Sequence, residues 1–201
     1  HNINLVTPTH FVPSVLRAAE RARAAGMNLP FVYNTGSYDT EATVRSLRGM
    51  VDIFLPDFKY VTPALAAELS GAADYPEVAK AAIAEMHRIA PKPEFSPDGT
   101  MRRGVIARVL LLPGHVAEAK LAVSYLYRTY GDSIYISMMN QYTPMPGMTG
   151  TLARRVTHEE YNDLLCFADR LGVRNGFTQE AGTAEESFIP PFDYTGVEKK
   201  G

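Results

Sequence analysis

The stretch Ile53-Phe54-Leu55-Pro56-Asp57-Phe58-Lys59 decides the fold. Its first three residues are apolar without alternation, as expected of a strand covered on both faces. Asp57 and Lys59 stand two apart, and an extended backbone aims residues at that spacing to the same side. Parallel α/β proteins carry their ligand chemistry at the carboxyl ends of the strands. An acid and a lysine presented there suit an anionic or zwitterionic small molecule. The plainer alternative is a solvated strand-end ion pair.

Outward from this strand the chain alternates strand and helix. Ile3–Val6 and Pro30–Tyr33 read as strands before it. Pro13 opens a helix that Gly26 ends. Asp39 or Thr40 is placed to cap a short helix running to Leu47. After it, Pro63–Leu69 and a longer segment from Pro76 read as helices. The stretch 92–101, with the turn signal Asp98-Gly99, reads as a small hairpin feeding a fourth strand, Val105–Leu112. Pro113-Gly114 stops that strand. Val116–Tyr130 reads as a helix and Ile134–Met139 as a fifth strand. Thr157 and Glu160 have capping-box spacing for a helix to Leu171, and Phe177–Glu180 reads as a last short strand. The region 181–201 reads as an irregular tail. Successive βα units imply an α/β fold with a parallel sheet, either open or rolled into part of a barrel.

Composition limits the functions. A net charge of −2 over 201 residues gives no electrostatic case for nucleic acid or an anionic membrane surface. The longest apolar runs are too short to span a bilayer. One cysteine, Cys166, excludes an intrachain disulfide and any multi-cysteine metal site, and suits a reducing, cytoplasmic setting. It lies in Leu164-Leu165-Cys166-Phe167-Ala168 and is expected to be a core thiol. The five histidines show no metal-ligand spacing. The chain opens at His1 directly into a strand, so the expectation is a fragment whose upstream part is missing. On that reading Ile3–Val6 is a sheet edge with unpaired backbone groups.

Four further stretches offer ligand chemistry. Thr7-Pro8-Thr9-His10 follows the first strand and offers hydroxyls and free N–H groups to an anion, or is a plain turn with Thr9 as a cap. Asn34-Thr35-Gly36-Ser37 follows the second strand and offers oxygen ligands or a turn. Arg108 sits inside an apolar strand and needs a carboxylate partner or a bound anion. Gln141 and Tyr142 end the fifth strand, where they are placed to read an adenine or to pack at the rim.

These pieces, in this order, resemble the radical SAM proteins, in particular the group similar to pyruvate formate-lyase-activating enzyme. The resemblance rests on His1–His10, Val32-Tyr33-Asn34-Thr35, Val51–Tyr60 and Tyr75-Pro76-Glu77-Val78-Ala79. It continues through Arg108 with Leu111-Leu112-Pro113-Gly114, Met139-Asn140-Gln141-Tyr142 and Phe188-Ile189-Pro190-Pro191-Phe192-Asp193. It implies a partial, open TIM-like βα barrel over 1–180, lacking an N-terminal βα unit. It implies S-adenosylmethionine as ligand, with Thr7, Thr9, Asn34, Thr35, Asp57, Lys59, Arg108, Gln141 and Tyr142 as cofactor-binding candidates. The family's strand-end Asp-Thr beside a monovalent cation is Asn34-Thr35 here, one charge fewer. The family's Gly-Gly-Glu motif, which holds the methionine amino group, would fall at Thr7-Pro8-Thr9 and is absent. The implied partners are a protein substrate, a glycyl radical enzyme or similar, and an electron donor.

The resemblance also implies a 4Fe-4S cluster on three cysteines in a C-x-x-x-C-x-x-C loop. One thiol cannot bind it, so the cluster belongs to the full-length parent and this chain by itself is expected to be inactive, with no catalytic or metal-ligating residue of its own. Two other readings compete. One is a cluster-independent βα-barrel lyase using Lys59 as a Schiff-base nucleophile, against which Asp57 argues by keeping lysine protonated. The other is a non-enzymatic domain that binds a partner.

Overall fold

Strand and helix alternate as the hydrophobic pattern predicts. The structure, a computed structural model, describes residues 1–179. The strands are β1 (Ile3–Val6), β2 (Phe31–Thr35), β3 (Ile53–Pro56), β4 (Glu94–Phe95), β5 (Met101–Leu110), β6 (Tyr135–Met139) and β7 (Gly176–Phe177). The α-helices are α1 (Val12–Ala24), α2 (Glu41–Ser46), α3 (Pro63–Ser70), α4 (Tyr75–Ile89), α5 (Val116–Tyr130) and α6 (His158–Leu171). The sheet runs β1-β2-β3-β5-β6-β7, and every neighbouring pair along it is parallel. Short β4 pairs antiparallel to the start of β5, which is the small hairpin expected over 92–101. The result is an open α/β sheet, a partial TIM-like barrel, with β1 at one edge.

Local signals place the helix ends. The Thr40 hydroxyl accepts from Thr43 N–H at the start of α2. Thr157 and Glu160 make the reciprocal capping box at the start of α6. Gly71 and Gly172 end α3 and α6 in the left-handed conformation, which costs glycine no Cβ clash.

Parallel register sorts the strand residues into two faces. On the helix-covered outer face, Tyr33, Phe54, Val105, Ala107, Val109 and Ile136 are buried. The aromatic and branched side chains among these each contribute about 1.5–3 kcal/mol when fully buried, so this layer drives folding. The inner face carries Asn34, Leu55, Asp57, Ile106, Arg108, Tyr135 and Ser137, all half-buried.

Four expectations need correction. The third strand, which the sequence reads as Ile53–Phe58, ends at Pro56, and Asp57 continues it through a single bridge to Arg108. The fourth strand starts earlier, at Met101, because β4 pairs with its first residues. Cys166 is exposed. Helix α6 buries Tyr161, Leu164 and Ala168, and Cys166 lies two residues from Leu164, about 200° around the helix. The last strand is Gly176–Phe177. Glu180, the tail over 181–201 and the Phe188–Asp193 motif lie outside the described residues.

A buried polar network ties the carboxyl ends of β1 and β2 together behind the sheet. Asp39, 2% exposed, accepts from Thr9 Oγ1 at 2.8 Å, from Thr35 Oγ1 at 2.6 Å and from the Tyr33 hydroxyl at 3.3 Å. Burial pushes the Tyr33 hydroxyl up to about 12, so it stays protonated and keeps donating. The Asp39→Asn variant removes the charged acceptor and sets an amide N–H₂ against hydroxyl donors. Chemical denaturation should show it less stable by about 1–3 kcal/mol, with Thr40→Ala costing only the usual cap value of about 1 kcal/mol.

At the opposite end of the sheet, His87 Nε2 meets Ser133 Oγ at 2.9 Å. Burial lowers the His87 pKa below 6.5, so the fold favours the neutral ring. The associated stability is therefore present above about pH 6.5 and is lost as pH falls through the depressed value. Unfolding curves between pH 7 and pH 5 should show this decline, and His87→Asn should flatten it.

Candidate functional site

The inner face carries its polar groups at the carboxyl ends of β2, β3 and β5. Arg108 is fixed by the β5–β6 ladder, opposite Ser137. Its Nε donates to Asp57 Oδ1 at 2.7 Å, and its Nη2 is also 2.7 Å from that oxygen. The same Nη2 donates to Asn34 Oδ1 at 2.6 Å. Three strands thus meet through one guanidinium, which needed a partner in its apolar strand. Asp57 and Arg108 keep 23% and 22% side-chain exposure, so the pair borders the open side of the sheet rather than the core.

Lys59 joins this group from the loop after β3. A methyl group placed on Gly36 would stand 3.7 Å from Lys59 Nζ. The lysine therefore lies over the glycine of the neighbouring loop, and the missing side chain leaves it room. Lys59 also acts electrostatically on Asp57. No hydrogen bond or ion pair of Lys59 Nζ occurs among the described residues. Beside it, Lys59, Tyr60, Leu110, Leu112 and Tyr142 line a cavity of about 150 Å³. It has one cationic rim and otherwise apolar or aromatic walls.

Asp57 is held by opposing forces. Burial raises its pKa above 3.8, and the charges of Arg108 and Lys59, with the Arg108 hydrogen bond, pull it back down. Burial wins. The arrangement can neutralise an anion at Lys59 and accept hydroxyl or ammonium hydrogens at Asp57 Oδ2, which has no hydrogen bond among the described residues.

The structure brings together Asn34, Asp57, Lys59 and Arg108, with Tyr142 across the cavity. It separates Thr9 and Thr35 from them. Strand alternation turns Thr35 to the outer face, where both threonine hydroxyls donate to Asp39. Thr9 makes no capping bond. Thr7 is exposed at the end of β1 with φ 48°. Gln141 is exposed, and its Oε1 accepts from Gln179 Nε2 at 3.0 Å. Tyr142 donates to the Leu152 carbonyl at 2.9 Å. One inner-face residue escaped the sequence reading. Ser137 shares the Arg108 layer, and the alternation Tyr135-Ile136-Ser137-Met138 would have placed it there. Gly36 makes room for Lys59, which only the packing reveals.

Among the described residues no group of three or more His, Cys, Asp or Glu is arranged to hold a metal ion, and no helix is long and apolar enough to cross a membrane.

No family model matches the chain. An uncharacterized protein of Methanocaldococcus jannaschii is 26% identical over 176 residues, spanning 86% of this chain and 47% of that protein. The chain thus spans about half the length of this curated relative. Two solved structures share the fold. One is a domain of pyruvate-formate lyase-activating enzyme from Bacteroides vulgatus, with TM-score 0.62, 11% identity, and coverage of 89% of this chain and 99% of that one. The other is a radical SAM methyltransferase from Sphaerobacter thermophilus, with TM-score 0.51, 14% identity, and coverage of 87% and 57%. The fold is radical SAM-like.

The balance at Asp57 has a sign that can be read. Its proton is bound more tightly in the fold than in the unfolded chain. Its contribution to stability is therefore greatest below pH 3.8 and is lost as pH rises through the raised value. A carbon-13 carboxyl titration should place Asp57 above 3.8. Arg108→Gln and Lys59→Met should each move it higher, because each removes a cation. A midpoint below 3.8 would contradict the dominance of burial.

Proposed function

We propose that this chain is the S-adenosylmethionine-binding part of a radical SAM enzyme of the glycyl-radical-activating kind. The observation that carries the reading is the Asn34–Asp57–Arg108 junction with Lys59 over Gly36, on the open face of a radical SAM-like sheet. S-adenosylmethionine combines an amino acid, a sulfonium, a ribose and a planar base. Lys59 supplies a cation for its carboxylate, and Asp57 Oδ2 an acceptor for ribose hydroxyls. The apolar cavity beside Tyr142 supplies walls for the base, with Gln141 at the rim. The whole protein's partners on this reading are a protein substrate and an electron donor, in a cytoplasmic setting to which the unpaired Cys166 is suited.

The residues present do not fit the family's 4Fe-4S cluster. Such a cluster needs three thiolates, and the sequence holds one cysteine, exposed on α6. Reductive cleavage of S-adenosylmethionine is therefore not a step of these 201 residues, whose share is to bind and orient. Lys59 and Asp57 fix the amino-acid and ribose ends, and Arg108 holds Asp57 in place.

Calorimetric titration with S-adenosylmethionine and S-adenosylhomocysteine tests the reading. The chain should bind both, and Lys59→Ala and Asp57→Asn should each weaken binding tenfold or more. Thr9→Val should leave affinity within about twofold, since Thr9 faces Asp39. No measurable binding by the folded chain would end the proposal. Anaerobic incubation with iron and sulfide should give no cluster absorbance from the chain alone. In the longer protein, production of 5′-deoxyadenosine reports the full activity.

A further inference from the structure

Tyr75 opens α4 and is 4% exposed. Its hydroxyl reaches the two loops that build the site. It donates to the Asp57 carbonyl at 2.8 Å and to the Gly36 carbonyl at 3.0 Å, sharing one proton between them. It accepts from the Lys59 amide at 3.1 Å. All three backbone groups lie past the ends of β2 and β3, where the ladder no longer supplies partners. Buried backbone groups left unpaired cost about as much as a lost hydrogen bond, so the phenol completes what the strands leave open.

The ring itself is held independently. Tyr60 packs edge-on at 5.4 Å and Tyr38 stacks at 6.1 Å between ring centroids. Burial raises the Tyr75 pKa far above neutrality, so the donor is present at any working pH.

We propose that Tyr75 is the positioning residue of this site. Its hydroxyl sets the spacing between the Gly36 loop and the Asp57–Lys59 loop. That spacing holds the Asp57 carboxylate against Arg108 and the Lys59 ammonium over Gly36. The consequence for ligand affinity rests on the S-adenosylmethionine reading; the geometric assignment does not.

Tyr75→Phe deletes the hydroxyl and keeps the ring. Tyr60→Phe is the control, since its hydroxyl makes one comparable bond, to Ser70 Oγ at 3.0 Å, away from the site loops. Amide exchange and side-chain NMR on the 201-residue chain read the outcome. Tyr75→Phe should speed exchange of the Lys59 amide at least tenfold and shift the Arg108 Nε–H resonance. Tyr60→Phe should do neither, even where its melting temperature falls equally. In calorimetry, Tyr75→Phe should bind S-adenosylhomocysteine about tenfold more weakly than wild type. If both variants leave Lys59 exchange and the Arg108 resonance unchanged, or change them alike, Tyr75 is only a packing residue and the assignment fails. Should Tyr75→Phe not fold, the wild-type Lys59 amide decides: protection equal to that within β3 supports the bond, and free-peptide exchange overturns it. Wild-type protein that binds no adenosyl ligand ends the functional reading alone, because the exchange data still judge Tyr75.

Discussion

The Asp57–Arg108 ion pair is the contact on which the arrangement depends. It joins β3 to β5, strands that are neighbours in the sheet but separated in sequence by α3, α4 and β4. Their ladder is short, pairing Ile53 with Gly104 and Phe54 with Val105. Pro56 then has no N–H to donate. The Asp57–Arg108 bridge, the guanidinium contacts and the Phe58 N–H to Arg108 carbonyl bond of 2.8 Å take over beyond it. The register between the two halves of the sheet is thus set by charge at the end where ligand chemistry sits. A one-residue slip would turn Arg108 into the apolar helix layer, where a guanidinium without its acid is costly.

The two faces divide the labour. The outer face is a close-packed layer of aromatic and aliphatic side chains against the helices, and it carries the stability. The inner face is apolar toward the starts of the strands, where Val32 and Ile53 are buried, and half-open and polar toward their carboxyl ends, where it is free to hold charged groups. The Asp39 network mediates between them. It lies behind β2 yet ties the loops that follow β1 and β2, so the loop carrying Gly36 is held at two points, by Asp39 through Thr35 and by Tyr75 at the Gly36 carbonyl.

Much of this was legible in the sequence because it obeys local rules. Proline openings, glycine stops and the Thr157–Glu160 spacing report backbone needs within a few residues, and the helices follow them. Asp57 and Lys59 at spacing two, and an arginine in an apolar strand, also state their problem locally; the structure supplies Asp57 and Asn34 as the answer. What failed depended on direction or distance. Thr35 looked like a ligand because it adjoins Asn34, but pleating sends neighbours to opposite faces. Cys166 looked buried because its neighbours are apolar, but helical phase puts it outside. Tyr75 and Gly36 act on groups far away in sequence, through contacts no spacing rule encodes.

The pairing within the site also orders how a ligand meets it. Arg108 is already bound to Asp57 and Asn34, so an incoming carboxylate could claim it only by displacing an acid that burial would then leave without its partner. Lys59 carries no such debt among the described residues. Its ammonium faces the cavity next to Gly36, within reach of an anion at little desolvation cost because it is exposed. On the proposed reading, the carboxylate of an amino-acid ligand therefore engages Lys59, and Arg108 acts from behind by fixing which oxygen of Asp57 remains free. That division explains why an arginine and a lysine occupy the same site. The rigid, forked guanidinium suits a permanent internal junction, and the flexible ammonium suits a partner that comes and goes.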